Sequence, residues 1–175
     1  DRLGIPYTAV SPHVDETPRS DEKAADTAKR LALSKARAVA KTYPESLIIG
    51  SDQVALLEGE LLGKPHTHEK AVLQLQKMRG KTVVFHTALC LLDAKKNEYT
   101  LEDVPTQLLF RNLSNEQIEN YLRREQPYDC AGSAKSEGLG IALIQSMQGE
   151  DPNALIGLPL IKLVSMLEQH GLKVI

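Results

Sequence analysis

Small and apolar residues recur at spacings of three and four along residues 24–42, at Ala28, Leu31, Ala32, Ala36, Val39 and Ala40. That spacing predicts a helix with one buried stripe, stopped by Pro44. The apolar run Leu47-Ile48-Ile49-Gly50 opens a segment, 47–57, that reads as one long strand or a strand pair, followed by a turn at Glu58-Gly59-Glu60. Helical spacing returns at Ala71, Val72, Leu75 and Met78, with Thr67 placed to cap the start and Gly80 to end the helix. Residues 81–92 predict a strand, 93–97 a turn and 99–113 a return strand, within which Pro105 implies an edge or a bulge. Ser114-Asn115-Glu116-Gln117 has the form of a capping box and opens a helix to about Glu125. Residues 140–147 predict another strand. A last helix starts near Pro159, buries Leu160, Leu163, Val164 and Leu167, and is closed by Gly171. At the other end, residues 7–10 predict a short strand and 11–20 a loop.

Strands and helices alternate, yet residues 81–113 form a hairpin-connected pair. The expected fold is therefore α/β in one domain, with a mixed sheet flanked by helices. Its 175 residues, 42% hydrophobic and 25% charged, suit a single globular unit and exclude wholesale disorder. No apolar run is long enough to span a bilayer, and no charged-then-apolar leader opens the chain. Only two cysteines occur, Cys90 and Cys130, too few for a disulfide framework or a four-cysteine zinc site. A cytoplasmic protein is the expectation. The 21 basic and 23 acidic residues give a net charge of −2, with no basic stripe, which disfavours a nucleic-acid polymer as partner. A small anionic ligand needs only two or three well-placed cations and stays open.

Several residues could supply chemistry. Asp52 follows an apolar strand run, where partial desolvation would suit a base or a metal ligand; the alternative is a strand-end carboxylate bonding its own turn. Lys35 shares a helical row with Leu31 and Val39, so its ammonium either snorkels to solvent or meets an anion. Residues 59–65 superficially resemble a P-loop. They fail on spacing, with three residues between the glycines, and on Pro65, which stands where a Ser or Thr would hold magnesium. What survives is Lys64 beside a bared backbone, either a phosphate contact or a solvated turn. Asp15 and Glu16 are paired carboxylates in a proline-flanked loop, able to hold a hard cation or simply to stay solvated. The small-residue segment from Cys130 to Gly140 would let a ligand approach the backbone, and it carries Lys135 and Glu137. His66 and His68 could share one side of an extended segment, although loop histidines are more commonly just exposed.

Taken together, Val14-Asp15-Glu16-Thr17, Ala32-Leu33-Ser34-Lys35-Ala36, Gly50-Ser51-Asp52-Gln53-Val54, Gly63-Lys64-Pro65, Ala131-Gly132-Ser133 and Gly157-Leu158-Pro159 resemble the motifs of the Maf family of nucleoside triphosphate pyrophosphatases, in the family's order. Gln53 and Glu137 are most similar to the branch that acts on 7-methyl-GTP. The resemblance implies a bent mixed sheet flanked by helices, with two lobes around a central cleft. It implies hydrolysis of the bond between the α- and β-phosphates, a divalent cation (Mg, Mn or Co), a small-molecule nucleotide as partner and a homodimer. Asp52 matches the general base. Glu16, with Asp52, matches the metal site. Lys35 and Lys64 match phosphate-binding lysines, and Gln53 and Glu137 match positions of substrate choice. Alternatives are a broader pyrophosphatase of noncanonical nucleotides and a nucleotide-binding regulator of cell division. Family members also open with a strand and a Ser-x-Ser-x-Arg-Arg phosphate loop that this chain does not show. The expectation is that a molecule starting at residue 1 has an incomplete sheet and severely weakened activity.

Overall fold

The computed structural model describes residues 2–175. Five strands form one sheet: β1 (Leu47–Leu57), β2 (Glu60–Leu62), β3 (Thr82–Asp93), β4 (Glu98–Phe110) and β5 (Ile144–Gly149), in the order β2-β1-β3-β4-β5. Four α-helices accompany it: α1 (Ala24–Ala40), α2 (His68–Met78), α3 (Asn115–Glu125) and α4 (Leu160–Gln169). The α/β class is as expected. Every strand pair is antiparallel, so the parallel component of the expected mixed sheet is absent among the described residues. The connections explain this: β1 to β2 and β3 to β4 are tight turns, which can join only antiparallel neighbours. No helix is long and apolar enough to cross a membrane.

The sheet packs in three places. On one face, α1 lays Ala28, Ala32 and Ala36 against Ile48, Ala88, Cys90 and Leu92. On the opposite face, α4 covers Leu89 and Leu91 with Leu163, Met166 and Leu167. Toward the other end of the strands, α2 and α3 cover Leu57, Val83, Phe85, Leu108 and Phe110 in the largest cluster. Helices thus gather into two groups along the strand direction, and β1 runs through both.

The contact between α1 and β1 is unusually close, and Gly50 permits it. A Cβ built there would lie 2.3 Å from the carbonyl oxygen of Ala32 and 3.0 Å from the Cβ of Ala36. Alanine at 32 and 36 and glycine at 50 let helix backbone meet strand backbone with almost nothing between.

Most predicted elements form near their expected bounds, and their ends show why. Thr67 Oγ1 accepts from the Lys70 amide at 3.3 Å. The Ser114–Gln117 capping box is complete in both directions, at 2.8 and 3.2 Å. Pro105 lies one residue before β4 begins to pair with β5, so its missing N–H falls on an open edge; the bulge is elsewhere, between Leu109 and Phe110. Two expectations are corrected. Residues 7–10 form no strand; Tyr7 and Val10 are exposed and no neighbouring strand offers a ladder. Residues 140–147 begin as a 3-10 helix, Leu139–Leu143, and become β5 only at Ile144. The last helix buries Met166 alongside Leu163 and Leu167, while Leu160 and Val164 are half-buried.

Replacing Gly50 with Ala should force α1 off β1. The expected cost is about 1–3 kcal/mol, the usual penalty for overpacking a filled core, read as a lower midpoint in chemical denaturation. An unchanged midpoint would show that the helix is not seated as closely as described.

Candidate active site

Asp52 lies near the middle of β1 on the face that α1 covers. Lys35 projects from α1 toward it, and their contact follows from the Gly50 approach one residue pair away. The Lys35 Nζ donates to Asp52 Oδ1 at 2.5 Å and lies 2.8 Å from Glu16 Oε1. One ammonium therefore joins two carboxylates. Exposure falls steeply across the trio: the Glu16 side chain is 46% exposed, Lys35 23% and Asp52 9%. The open alternatives for Lys35 resolve in favour of an anion.

This environment moves the three groups differently. Burial pushes the Asp52 carboxyl above its ordinary value, and the Lys35 ammonium only partly offsets that. Glu16 is held below the ordinary range, chiefly by its hydrogen bond from Lys35. Burial works against the Lys35 charge, yet the bonds to Asp52 and Glu16 outweigh it and the pKa rises. Asp52 is thus the more basic of the two carboxylates. Its Oδ2 receives no hydrogen bond among the described residues.

Lys64 follows β2, at the edge of the sheet next to β1. It is exposed, forms no ion pair among the described residues, and its charge reaches both Glu16 and Asp52. Its loop is braced on both sides. The Gly63 carbonyl accepts from the Gln74 side chain of α2 at 2.8 Å and from the Gly132 amide at 3.4 Å, and the His66 amide donates to the Tyr128 carbonyl at 2.9 Å. Gln74 Oε1 also accepts from the Ser133 hydroxyl at 2.6 Å. One carboxamide thereby joins Gly63-Lys64-Pro65 to Ala131-Gly132-Ser133, segments almost 70 residues apart in the chain.

Asp15 and Glu16 take separate roles. Asp15 Oδ1 accepts from the Thr17 amide at 3.0 Å and the Thr17 hydroxyl at 2.6 Å, closing its own turn, and only Glu16 reaches Lys35. The turn is fastened to α1 by Arg30, whose Nη2 donates to the Thr17 carbonyl at 3.2 Å. Arg30 is in turn gripped by Glu22 through Nε and Nη2, each at 2.8 Å, which holds Glu22 down at a pKa of about 2. A recess of about 400 Å³ lies beside this turn, lined by Val14, Pro18, Arg19 and Ser34 among others.

Strand alternation sends Gln53 to the face opposite Asp52. Its amide donates to Thr87 Oγ1 at 2.8 Å and to the carbonyls of Ala154 and Leu155 at 3.0 and 3.2 Å. On the same face the Ser51 hydroxyl lies 2.7 Å from the carbonyls of both Ala88 and Gly157. Gly157-Leu158-Pro159 thus underpins β1 from behind. The structure brings together Glu16, Lys35 and Asp52, with Lys64 alongside. It sets Gln53 behind the sheet, and it leaves Glu137 exposed on the loop after α3, near Lys135 and Cys130.

The histidines form no pair. His68 sits between Tyr128 and Glu119 at 2.9 and 3.0 Å, and His66 is exposed. Cys90 is buried, and desolvation pushes its thiol up to about 11, as suits inert core. The fastening residues Arg30, Glu22 and Gln74 carried no local signal, because Arg30 and Gln74 bond groups outside their own helices and Glu22 acts only by holding Arg30.

No group of three or more metal-ligating side chains occurs among the described residues. Glu16 and Asp52 nevertheless fit a hard divalent cation, since their oxygens already converge on a single positive charge. An ion held by two carboxylates would complete its shell with water and ligand oxygens, the habit of magnesium.

A recessed carboxylate, a second carboxylate beside it and two lysines are thus mounted together on an α/β frame. The chain belongs to the Maf family: the model described as Maf-like protein matches residues 1–170. Among its relatives, the 7-methyl-GTP pyrophosphatase of Methylobacillus flagellatus is 59% identical over 99% of this chain and 91% of the relative. Proteins of the same name from Aromatoleum aromaticum and Colwellia psychrerythraea are 54% and 51% identical, over 98% and 100% of this chain and 89% and 88% of each relative.

In the metal-free protein the buried Asp52 carboxyl should titrate above the ordinary carboxylate value of about 3.9, read from the pH dependence of its side-chain carbon resonance. The sign for stability is separate. Glu16, held low, contributes stability above its unfolded value that is lost on acidification, whereas Asp52 favours the folded state more when protonated, at low pH. A metal-free titration of Asp52 at or below the ordinary value would show that burial does not set its basicity.

Proposed function

We propose that this chain hydrolyses 7-methyl-GTP between the α- and β-phosphates, releasing 7-methyl-GMP and diphosphate, as a house-cleaning activity on a modified nucleotide. The observation that carries this reading is Asp52, raised in basicity by burial and held on one oxygen by Lys35 while the other has no hydrogen-bond partner among the described residues. The shared name of the relatives supports the substrate.

A triphosphate brings about four negative charges, and a water can approach phosphorus only after they are neutralised. Lys35 and Lys64 supply two positive charges at the site. A divalent cation such as Mg, Mn or Co, held by Glu16 and Asp52, would supply further neutralisation when bound. Asp52 takes a proton from the water whose oxygen bonds to the α-phosphorus. The bond from that phosphorus to the oxygen bridging to the β-phosphate breaks, and its electron pair leaves with diphosphate. Glu16 receives part of the Lys35 charge and keeps the ammonium from neutralising Asp52 alone.

Gln53 acts from behind, locking β1 to the loop at 154–155 so that Asp52 is held at one height. Glu137 recognises the base: one carboxylate can accept from the guanine N1–H and exocyclic amine, and methylation at N7 adds positive charge that it favours. We place the reaction in the cytoplasm, on a small-molecule substrate, with a pair of chains as the working unit.

Replacing Asp52 with Asn keeps the shape and removes the base. Diphosphate release should fall about 10²–10⁴-fold, the usual worth of a positioned proton acceptor. The same assay on a nucleotide panel, with and without manganese, should show 7-methyl-GTP turned over fastest and only with metal. Retained turnover in the Asn variant would rule out the base; another noncanonical triphosphate turned over faster would assign a broader substrate range.

A further inference from the structure

Glu137 stands at the tip of a loop, residues 135–140, that is closed on itself. The Lys135 carbonyl accepts from the amides of both Gly138 and Gly140, at 3.1 and 3.0 Å. A Cβ at Gly140 would lie 2.4 Å from that same carbonyl oxygen, so the ring closes only with glycine there. Two side chains of α3 fasten it. The Tyr121 hydroxyl accepts from the Lys135 amide at 3.1 Å and donates to the Ser133 carbonyl at 3.0 Å, both where the loop begins. Glu125 reaches both sides of Glu137: Oε2 accepts from the Leu139 amide at 2.7 Å, and Oε1 pairs with Lys135 Nζ at 3.0 Å. The Glu125 side chain is only 14% exposed, and its bond from the Leu139 amide, then that from Lys135, hold it ionised.

The pairing has an electrostatic effect as well as a geometric one. Lys135 is two residues from Glu137 and is the nearest cation in sequence that could neutralise it. With Lys135 Nζ bonded to Glu125, no cationic side chain among the described residues forms an ion pair with Glu137. Preset geometry and a carboxylate not bonded by a protein cation are what recognition of a cationic, donor-bearing base requires.

We infer that Glu125, helped by Tyr121, is a specificity-positioning residue: it fixes the loop at 135–140 and occupies Lys135, so that Glu137 is presented free and in place to a positively charged purine. This rests on the reading of Glu137 as the base-recognising carboxylate.

The test compares kcat and KM for 7-methyl-GTP and GTP in three variants, with a melting curve for each. Glu125→Ala should lower the kcat/KM preference for the methylated nucleotide about tenfold, the usual worth of a hydrogen bond to a charged group, with the loss in KM and not in kcat. Gly138→Ala leaves α3 unaltered but places a Cβ 2.7 Å from the Glu125 carboxylate, and should produce the same loss. Glu137→Gln should abolish the preference, and Glu125→Ala added to it should cost nothing more. If Glu137→Gln loses the preference while Glu125→Ala and Gly138→Ala keep it, the inference is overturned and the proposed function stands. If Glu137→Gln keeps the preference, the assignment of Glu137 fails and the inference with it. Should Glu125→Ala fail to fold, Gly138→Ala decides alone.

Discussion

A single ammonium, that of Lys35, joins the two carboxylates of the candidate site. It is half-sunk between α1 and β1, in hydrogen-bond contact with a buried carboxylate on one side and a more exposed one on the other. Such a charge is tolerable away from water only if it is paired and bonded, and two carboxylates meet that condition. The pairing depends on backbone proximity. Ala32, Ala36 and Gly50 bring helix and strand close enough for a lysine on one to touch an aspartate on the other. The small-residue core on that face and the charged cluster beside it are therefore one feature.

The remaining architecture supplies support from outside. Arg30, clamped by Glu22, fastens the turn that carries Glu16. Gln74 fastens the Lys64 loop and the Ser133 loop with the two ends of one carboxamide. Gln53, Ser51 and Thr87 fasten the back of β1 to the segment at 154–157. None of these residues needs to touch a ligand to matter. Each removes freedom from a group that would, and geometry fixed before binding is what makes a charged site effective.

Much of the fold was legible because its signals are local. The alanine stripe of α1, the Thr67 cap and the Ser114–Gln117 box all act within a few residues of themselves, and each formed as written. Residues 7–10 misled because local composition says nothing about whether a partner strand exists. Residues 140–147 misled because the folding of 135–143 is dictated by Glu125, Tyr121 and the carbonyl of Lys135. The antiparallel character of the whole sheet was only partly visible, since loop length fixes direction for tight turns and leaves longer crossovers open. At the site, Asp52, Lys35 and Glu16 stood out by resemblance, and Asp52 and Lys35 also as charges set in apolar patterns. Their mutual contact was not, because it depends on a glycine one strand position away from Ser51 and two from Asp52. Gln53 shows the converse: adjacency in sequence within a strand means opposite faces, so two neighbouring letters of one motif end up on different sides of the sheet.

The two walls around Lys35 differ in kind. Asp52 belongs to a strand with ladder bonds to β3 and side-chain anchors behind it, and so it can shift only if the sheet shifts. Glu16 belongs to a stretch without regular structure, held to α1 by two side chains, Arg30 at the Thr17 carbonyl and Lys35 at the Glu16 carboxylate itself. The deeper carboxylate has an address set by the whole sheet, the shallower one an address set by two side chains of α1.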